Sequence, residues 1–487
     1  MLRAVTLALL LLSGAGAAQD GVAPALELTD CRISVDPGLP GIAARCGTFV
    51  RPLDPADPDR GTIDLKVAVV PALTLEPASD PFVPIAGGPG QSSIHFYVGW
   101  VSTFERVRQH RDILLLDQRG TGESAPMVCD IDEDFVDGSY SEEQTLRLTK
   151  QCLDLLPHDP RFFTTSVAVQ DLEALRQALG YGPLNLYGIS YGTRVAQHFA
   201  RRYPDSTRSV IIDGVIPPQL PLGPDIATES QNAIDSVFDR CAAAAACNER
   251  FPNIDEDFAM LRGALAESSF PVEFQHPVSG QRELIDFTEE HLAGAIRLLL
   301  YDPRTVALLP LAINEAANGN FAPLAAQFHM VVESVAASLS IGMHNAVMCT
   351  EDAPFIDWDA LDHDAIDASY MGPMQLEAIK TMCAVWPAGV LDDDLREPLA
   401  TDKPVLLLSG GADPITPAHY AAMAAINMRN HWQIVGANQG HGLGAVGCMP
   451  RIIGDFVGAA ILEDGAAECL QKAFVMPFFI DYSGPTP

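Results

Sequence analysis

Positive charge is scarce in this 487-residue sequence. Thirty Lys+Arg stand against 63 Asp+Glu, a formal net charge of −33. So acidic a chain repels phosphate backbones, so no nucleic-acid partner is expected, and an anionic membrane surface is equally unfavourable. Beyond the N-terminus no apolar run reaches the roughly 18 uninterrupted residues that mark a bilayer span, so no membrane anchor is expected. No CxxC pair occurs, which argues against a zinc site or a thioredoxin-like redox motif. There is no internal repeat and no long polar tract. With 48% hydrophobic and 19% charged residues the composition is globular, and disorder is excluded as the main theme.

What is present begins with a leader. In MLRAVTLALLLLSGAGAAQDG, Arg3 supplies a short positive region and Ala4 to Leu12 a short apolar core. Ala15-Gly16-Ala17-Ala18 offers the small residues that signal peptidase needs. Residues 1–18 therefore read as a cleavable secretory signal, and the mature protein as exported, to the periplasm or the medium. Ten cysteines suit an oxidising compartment. Their order suggests neighbours in sequence as partners: Cys31 with Cys46, Cys129 with Cys152, Cys241 with Cys247, Cys349 with Cys383, and Cys448 with Cys469. Connectivity stays open, since ten cysteines allow on the order of a thousand pairings.

At about 150 residues per domain, this length fits two or three domains, or one large domain with an insertion. From about residue 62 to 215, short β-branched runs alternate with helical patterns. Strands are predicted at Asp64–Val70, Phe82–Ala86, Asp112–Asp117, Leu184–Tyr187 and Ser209–Asp213. Several are continuous apolar runs, the mark of strands buried on both faces of a parallel sheet. Val167 to Leu179 carries apolar residues at helical spacing and stops at Gly180. After the proline-rich break PPQLPLGP the chain turns Ala- and Leu-rich and helical in spacing, as at Glu289–Leu300 and Phe328–Leu339. Strand patterns resume at Pro404–Ser409 and His431–Val435. The simplest account is an α/β core with a mostly parallel central sheet, built from residues 19–216 and 396–487, interrupted at 217–395 by a large, mostly helical insertion.

The sharpest motif is Gly188-Ile189-Ser190-Tyr191-Gly192, between a predicted strand and a predicted helix over Tyr191–Tyr203. Strand, GxSxG and helix together define a nucleophile elbow, whose glycines let the backbone turn tightly and approach a substrate. A serine hydroxyl needs a base. In chains with this elbow the order is Ser, acid, His. Asp413 follows the strand PVLLLS, and His441 follows the last predicted strand. His441 is assigned as general base and then general acid, and Asp413 as the group that orients it. Asp213, after an earlier strand, is the rival acid. Ala86-Gly87-Gly88-Pro89-Gly90 occupies the place of an oxyanion loop, with the Gly88 and Tyr191 N–H groups as donors. No cofactor or metal is required by this chemistry, and a serine nucleophile points to ester or amide hydrolysis through an acyl-enzyme.

Gly87–Gly90, the run Asp117-Gln118-Arg119-Gly120-Thr121-Gly122-Glu123-Ser124 and the segment Gly188–Thr193 together resemble the prolyl aminopeptidase and tripeptidyl aminopeptidase group of α/β-hydrolases. GGADPITP at 410–417, GHG at 440–442 and the following Cys448 resemble the TAP-like C-terminal region of the exported branch. The resemblance covers nearly the whole mature chain. It implies the α/β-hydrolase fold, a helical cap over the site, the Ser190–Asp413–His441 triad, and removal of one or a few residues from a free peptide N-terminus. In prolyl aminopeptidases, acidic cap residues hold the substrate ammonium. Cys349-Thr350-Glu351-Asp352 resembles the acidic stretch of exported relatives, so Glu351 or Asp352 is the candidate amine site, with a capping or surface acidic pair as the plainer reading. Two departures stand out. Ala86 replaces the usual histidine before GGPG, and the insertion is far longer than the cap of the small prolyl enzymes. Asp117 and Arg119 are expected to order the loop beneath the site. The substrate is expected to be a peptide, with a carboxylesterase or small-molecule ester or amide hydrolase as the alternative; oligomeric state is open.

Overall fold

A computed structural model of the chain describes residues 26–36, 38–129 and 141–485, so the predicted signal segment at 1–18 lies outside the described residues. Nine strands form one sheet in the order β1-β2-β3-β5-β4-β6-β7-β10-β11. They are β1 (Thr29–Ile33), β2 (Ile42–Pro52), β3 (Thr62–Val70), β4 (Ala78–Ile85), β5 (Arg111–Leu116), β6 (Leu184–Ile189), β7 (Thr207–Asp213), β10 (Val405–Gly410) and β11 (His431–Gly436). From β5 to β11 every neighbouring pair is parallel, whereas β1, β2 and β3 pair antiparallel up to β5.

The continuous apolar runs are explained by cover on both faces. In β10, Val405 and Leu407 join Val210 and Ile212 in the core formed with the helices Thr165–Ala178 and Tyr191–Arg202. Leu406 and Leu408 point the other way, into a core with Ile211, Ile94 and the helix Met449–Ala459. Successive side chains leave a strand on opposite faces, so a strand between two helical layers must be apolar at every position. The predicted strand at Asp64–Val70 is present as β3, but antiparallel to its neighbour β5. The pair β1 and β2 was not foreseen. It carries a largely solvated edge with a weak apolar pattern, and Cys31–Cys46 ties it together.

The helical insertion has a separate core, centred on residues such as Ile234, Phe258, Ile296, Leu309 and Leu324. It also contains an antiparallel ribbon of β8 (Phe270–Gln275) and β9 (Arg282–Phe287), missing from the helical reading. Its signal was alternation: Val272 and Phe274 point inward while Glu273 and Gln275 face water. The last described residues return to the insertion rather than to the sheet. Phe478 is buried in the insertion's core, and the Phe479 N–H donates to the Ala307 carbonyl at 2.9 Å. All five neighbour-in-sequence disulfides form, and no cysteine is free.

Asp117 and Arg119 have the ordering role expected of them. The Arg119 guanidinium, wholly buried, forks onto Asp171 at 2.7 and 3.0 Å and donates to the Leu53 and Phe162 carbonyls. Asp117 accepts from the Ser92 hydroxyl at 2.7 Å and the Ile94 N–H at 3.0 Å, which fastens the start of the helix Ser93–Gly99 to the loop after β5. Removing Arg119 takes the wholly buried partner from Asp171 and leaves that carboxylate to the partly exposed Arg51 at 3.0 Å, so a buried charge loses most of its pairing. Arg119→Met is therefore expected to destabilise the mature protein by about 3–5 kcal/mol. Urea unfolding of the purified variant checks this, and a loss under about 1 kcal/mol would contradict it.

Candidate active site

The elbow is built by backbone crowding. Ser190 sits between β6 and the helix Tyr191–Arg202 at φ 54°, ψ −125°, a strained conformation for a residue with a side chain. A Cβ at Gly188 would come within 2.2 Å of the Gly192 carbonyl oxygen, and one at Gly192 within 2.4 Å of the Ile85 carbonyl oxygen. Both positions are thus closed to any larger residue. At Gly87 a Cβ would meet the Ser190 Cβ at 2.9 Å, so the loop after β4 lies directly against the serine.

Asp413 and His441 come together at the ends of β10 and β11. The Asp413 Oδ2 lies 2.8 Å from His441 Nδ1, which places the proton on Nδ1 and leaves Nε2 as the basic nitrogen. Asp413 also accepts from the Ile415 and Thr416 N–H groups at 2.9 Å and from the Thr416 hydroxyl at 2.7 Å. Burial pushes its carboxyl up, but the His441 ring and the Thr416 donors outweigh this and hold it below the usual range. For His441, burial favours the neutral ring, yet the Asp413 carboxylate, with Asp213 behind it, raises its pKa above 6.5. The ring lies close to the end of β7: a Cβ on Gly214 would be 3.0 Å from His441 Cε1, and the Ser190 N–H donates to the Asp213 carbonyl at 2.9 Å.

Asp213, the rival acid, is used otherwise. Its carboxylate accepts from the Tyr187 hydroxyl at 2.6 Å and from the Leu443 and Gly444 N–H groups at 2.8 and 2.7 Å, holding the loop just after His441. Gly88 faces the same cavity as Ser190, and Tyr191 is the first residue of its helix, where the N–H has no intrahelical acceptor. Neither N–H donates to a loop or side-chain acceptor among the described residues. Both remain available to an oxyanion.

Over Ser190 lies a cavity of about 340 Å³. Its wall is mainly apolar, with Leu148, Ile216, Ile226, Ile341, Met348 and Ile379 among its members. The polar residues include Arg297, Tyr301, His344 and Gln375, and among the described residues no Asp or Glu takes part. Several of these were missed in the sequence because they come from the insertion. Tyr301 packs edge-on against the His441 ring with centroids 5.1 Å apart, and its carbonyl accepts the His441 N–H at 2.9 Å. Thr416 was missed too, although an Asp three residues before a Thr in a turn-rich loop is a recognisable local hydrogen-bonding pattern.

The expectation for Glu351 and Asp352 needs correction. Both carboxylates are wholly buried and neither reaches the cavity wall. Asp352 forks onto the Arg194 guanidinium at 2.7 and 2.9 Å and accepts the Leu222 N–H at 2.8 Å. Glu351 accepts from the Thr165 N–H and hydroxyl at 2.7 and 2.8 Å, and burial pushes its pKa up to about 7. Carboxylates already spent on an internal guanidinium and a threonine are not free to hold a substrate ammonium. They bind the insertion to the Tyr191–Arg202 helix instead.

A serine elbow, an Asp–His pair and two unengaged N–H groups at the carboxyl ends of a doubly covered sheet define a serine hydrolase of the α/β-hydrolase fold. Comparisons agree. The family model described as "alpha/beta hydrolase fold" matches residues 80–246, and one described as "TAP-like protein" matches residues 368–469. The chain is 26% identical over 428 positions to serine protease Hip1 of Mycobacterium tuberculosis, covering 80% of each chain. It is 26% identical over 497 positions to a tripeptidyl aminopeptidase of Streptomyces coelicolor, covering 93% of this chain and 86% of that one. To the proline iminopeptidase of Aeromonas sobria it is 29% identical over 189 positions, 37% and 39% of the two chains. The chain has the α/β-hydrolase fold, is similar to the prolyl and tripeptidyl aminopeptidase group, and is a serine peptidase.

If Asp352 is a structural partner, Asp352→Asn should cost about 3–5 kcal/mol of stability by weakening the hold on buried Arg194. The KM for peptides should change less than about threefold, since the carboxylate does not line the cavity. A large KM rise without loss of stability would restore the amine-binding role.

Proposed function

We propose that this protein is an exported serine exopeptidase that releases a short segment from peptide N-termini through an acyl-enzyme. Ser190 Oγ attacks the scissile carbonyl while His441 Nε2 takes its proton. The Gly88 and Tyr191 N–H groups receive the oxyanion, donors of a kind worth about 3–4 kcal/mol each in the transition state. His441 then returns the proton to the leaving amine, and a water activated by the same ring hydrolyses the ester. Asp413 holds the imidazole in the tautomer this needs and stabilises its cation.

The observation that carries the reading is the capped cavity against the elbow. Insertion residues cover Ser190, and the space of about 340 Å³ is at the small end of ligand pockets, which run to roughly 1,000 Å³. A long polypeptide has little room there on the acyl side; a short N-terminal segment has enough. The names of the Streptomyces and Aeromonas relatives support an aminopeptidase. Five disulfides support export, and no helix among the described residues is long and apolar enough to cross a membrane. One observation favours a second reading, a carboxylesterase or small-molecule ester or amide hydrolase: among the described residues the cavity wall carries no carboxylate to pair with a free amine.

A peptide with a free N-terminus and its N-acetylated twin separate the two. Preferential cleavage of the free peptide, with release of one to three residues, is the expected result. Equal cleavage, or rapid p-nitrophenyl ester hydrolysis with no peptide cleavage, would select the esterase. Ser190→Ala should abolish turnover of every substrate while secretion and folding continue, and Asp413→Asn should lower kcat by about 10⁴. The base must be neutral to act, so kcat/KM should fall as pH drops through the His441 pKa. Because that pKa is raised, the midpoint of the acid limb is expected above 6.5. A midpoint clearly below that value would contradict the Asp413–His441 pairing.

A further inference from the structure

Arg297 has no place in the chemistry above. It lies near the end of the helix Glu289–Leu299, on the wall of the cavity that holds Ser190. An arginine at a helix C-terminus is commonly explained by the negative end of the helix dipole, with the guanidinium bonding the last carbonyls. Arg297 makes no such bond. Tyr301 adjoins it, and its Nε–H is buried without an acceptor among the described residues. Among the described residues no carboxylate pairs with it. The other described cavity-lining groups that titrate near neutrality or carry charge give it no partner either, since among the described residues the wall holds His344 but no Asp or Glu.

The position of the charge is marked by its reach. Arg297 acts electrostatically on His344, whose ring bonds the Pro89 carbonyl beside the oxyanion loop, and on the base His441. It also adjoins Tyr301, which packs on the His441 ring. The side chain is half-buried with its Nε enclosed, and a partly desolvated guanidinium gains from an anion that completes it, favouring the planar two-oxygen geometry of a carboxylate. No anion of the described protein does so.

We infer that Arg297 is a specificity residue, forming with Tyr301 a subsite in the acyl-side cavity for a substrate carboxylate. The substrate class would be short acyl groups or N-terminal peptide segments bearing an acidic side chain. This rests on Ser190 being the acylated residue. It does not depend on whether the leaving group is an amine or an alcohol.

The test uses the mature full-length protein with matched pairs that differ only in charge. One pair is mono-p-nitrophenyl glutarate against p-nitrophenyl glutaramate. The other is free-N-terminal peptide p-nitroanilides with Glu or Gln in the released segment. The native enzyme should favour the acidic member of whichever pair it cleaves by about tenfold or more in kcat/KM, mostly through KM. In Arg297→Met the ratio should collapse to about one, and Arg297→Lys should restore part of it. Absence of preference in the native enzyme, or a ratio that survives in Arg297→Met, overturns the proposal. Should the Met variant fail to fold, inhibition of the native enzyme decides. Glutarate is expected to compete at least tenfold better than glutaramide, and equal inhibition overturns the subsite. Charge preference with esters but no peptide cleavage would sink the exopeptidase reading and keep the subsite. Peptide cleavage indifferent to charge would do the reverse.

Discussion

Everything at this site depends on how closely two backbones cross at the elbow. The helix after Ser190 starts so near the end of β4 that Gly192 faces the Ile85 carbonyl oxygen with no room for a side chain. That contact forces Ser190 into its positive-φ turn and lifts its hydroxyl above the sheet. It also brings Gly87 against the serine, so the loop after β4 and Ser190 share one wall. The strain is affordable because β4, β6 and β7 are buried on both faces and fixed in parallel register.

The cap is fastened to that same loop. The Ser340 N–H donates to the Gly90 carbonyl at 3.0 Å, Leu339 forms a bridge with Gln91, and His344 reaches the Pro89 carbonyl. Ala86 precedes the double glycine, and a histidine from the insertion, His344, meets the loop at Pro89, directly after Gly87-Gly88. Cap and oxyanion loop therefore form one hydrogen-bonded unit. A second tether lies deeper, where Arg194 of the core binds Glu351 and Asp352 of the insertion. Such a pair contributes little net stability after desolvation, but losing either partner is expensive, so it holds the insertion in one position.

The cavity between these tethers has an electrostatic character that its surroundings hide. The chain is strongly acidic, yet the acid groups near the site are either engaged or absent from the wall. Asp413 and Asp213 serve the histidine and its loop, and Glu351 and Asp352 serve Arg194. What faces the substrate is apolar surface with an arginine beside it.

Much of this was legible in the chain. Continuous apolar runs such as PVLLLS can only be strands covered on both faces, and a GxSxG between strand and helix leaves little besides an elbow. The order Ser190, Asp413, His441 and the neighbour pairing of cysteines were likewise local patterns; the structure joins Asp413 to His441 and forms the five disulfides, while the serine's part with them belongs to the proposed mechanism. The β8–β9 ribbon left a local alternation that the helical reading passed over, whereas the partners of the weakly patterned edge strands and the return of the C-terminal segment to the insertion were not readable, because contacts between distant segments leave no local trace. Above all, an acidic pair next to a cysteine looked like an amine clamp. Only packing decided that Arg194, more than 150 residues away, had already claimed it, and that Arg297 brings positive charge to the cavity. Local sequence determines which backbone turns and strands are possible; which charges meet is a property of tertiary burial, where each ion must find a partner that water no longer supplies.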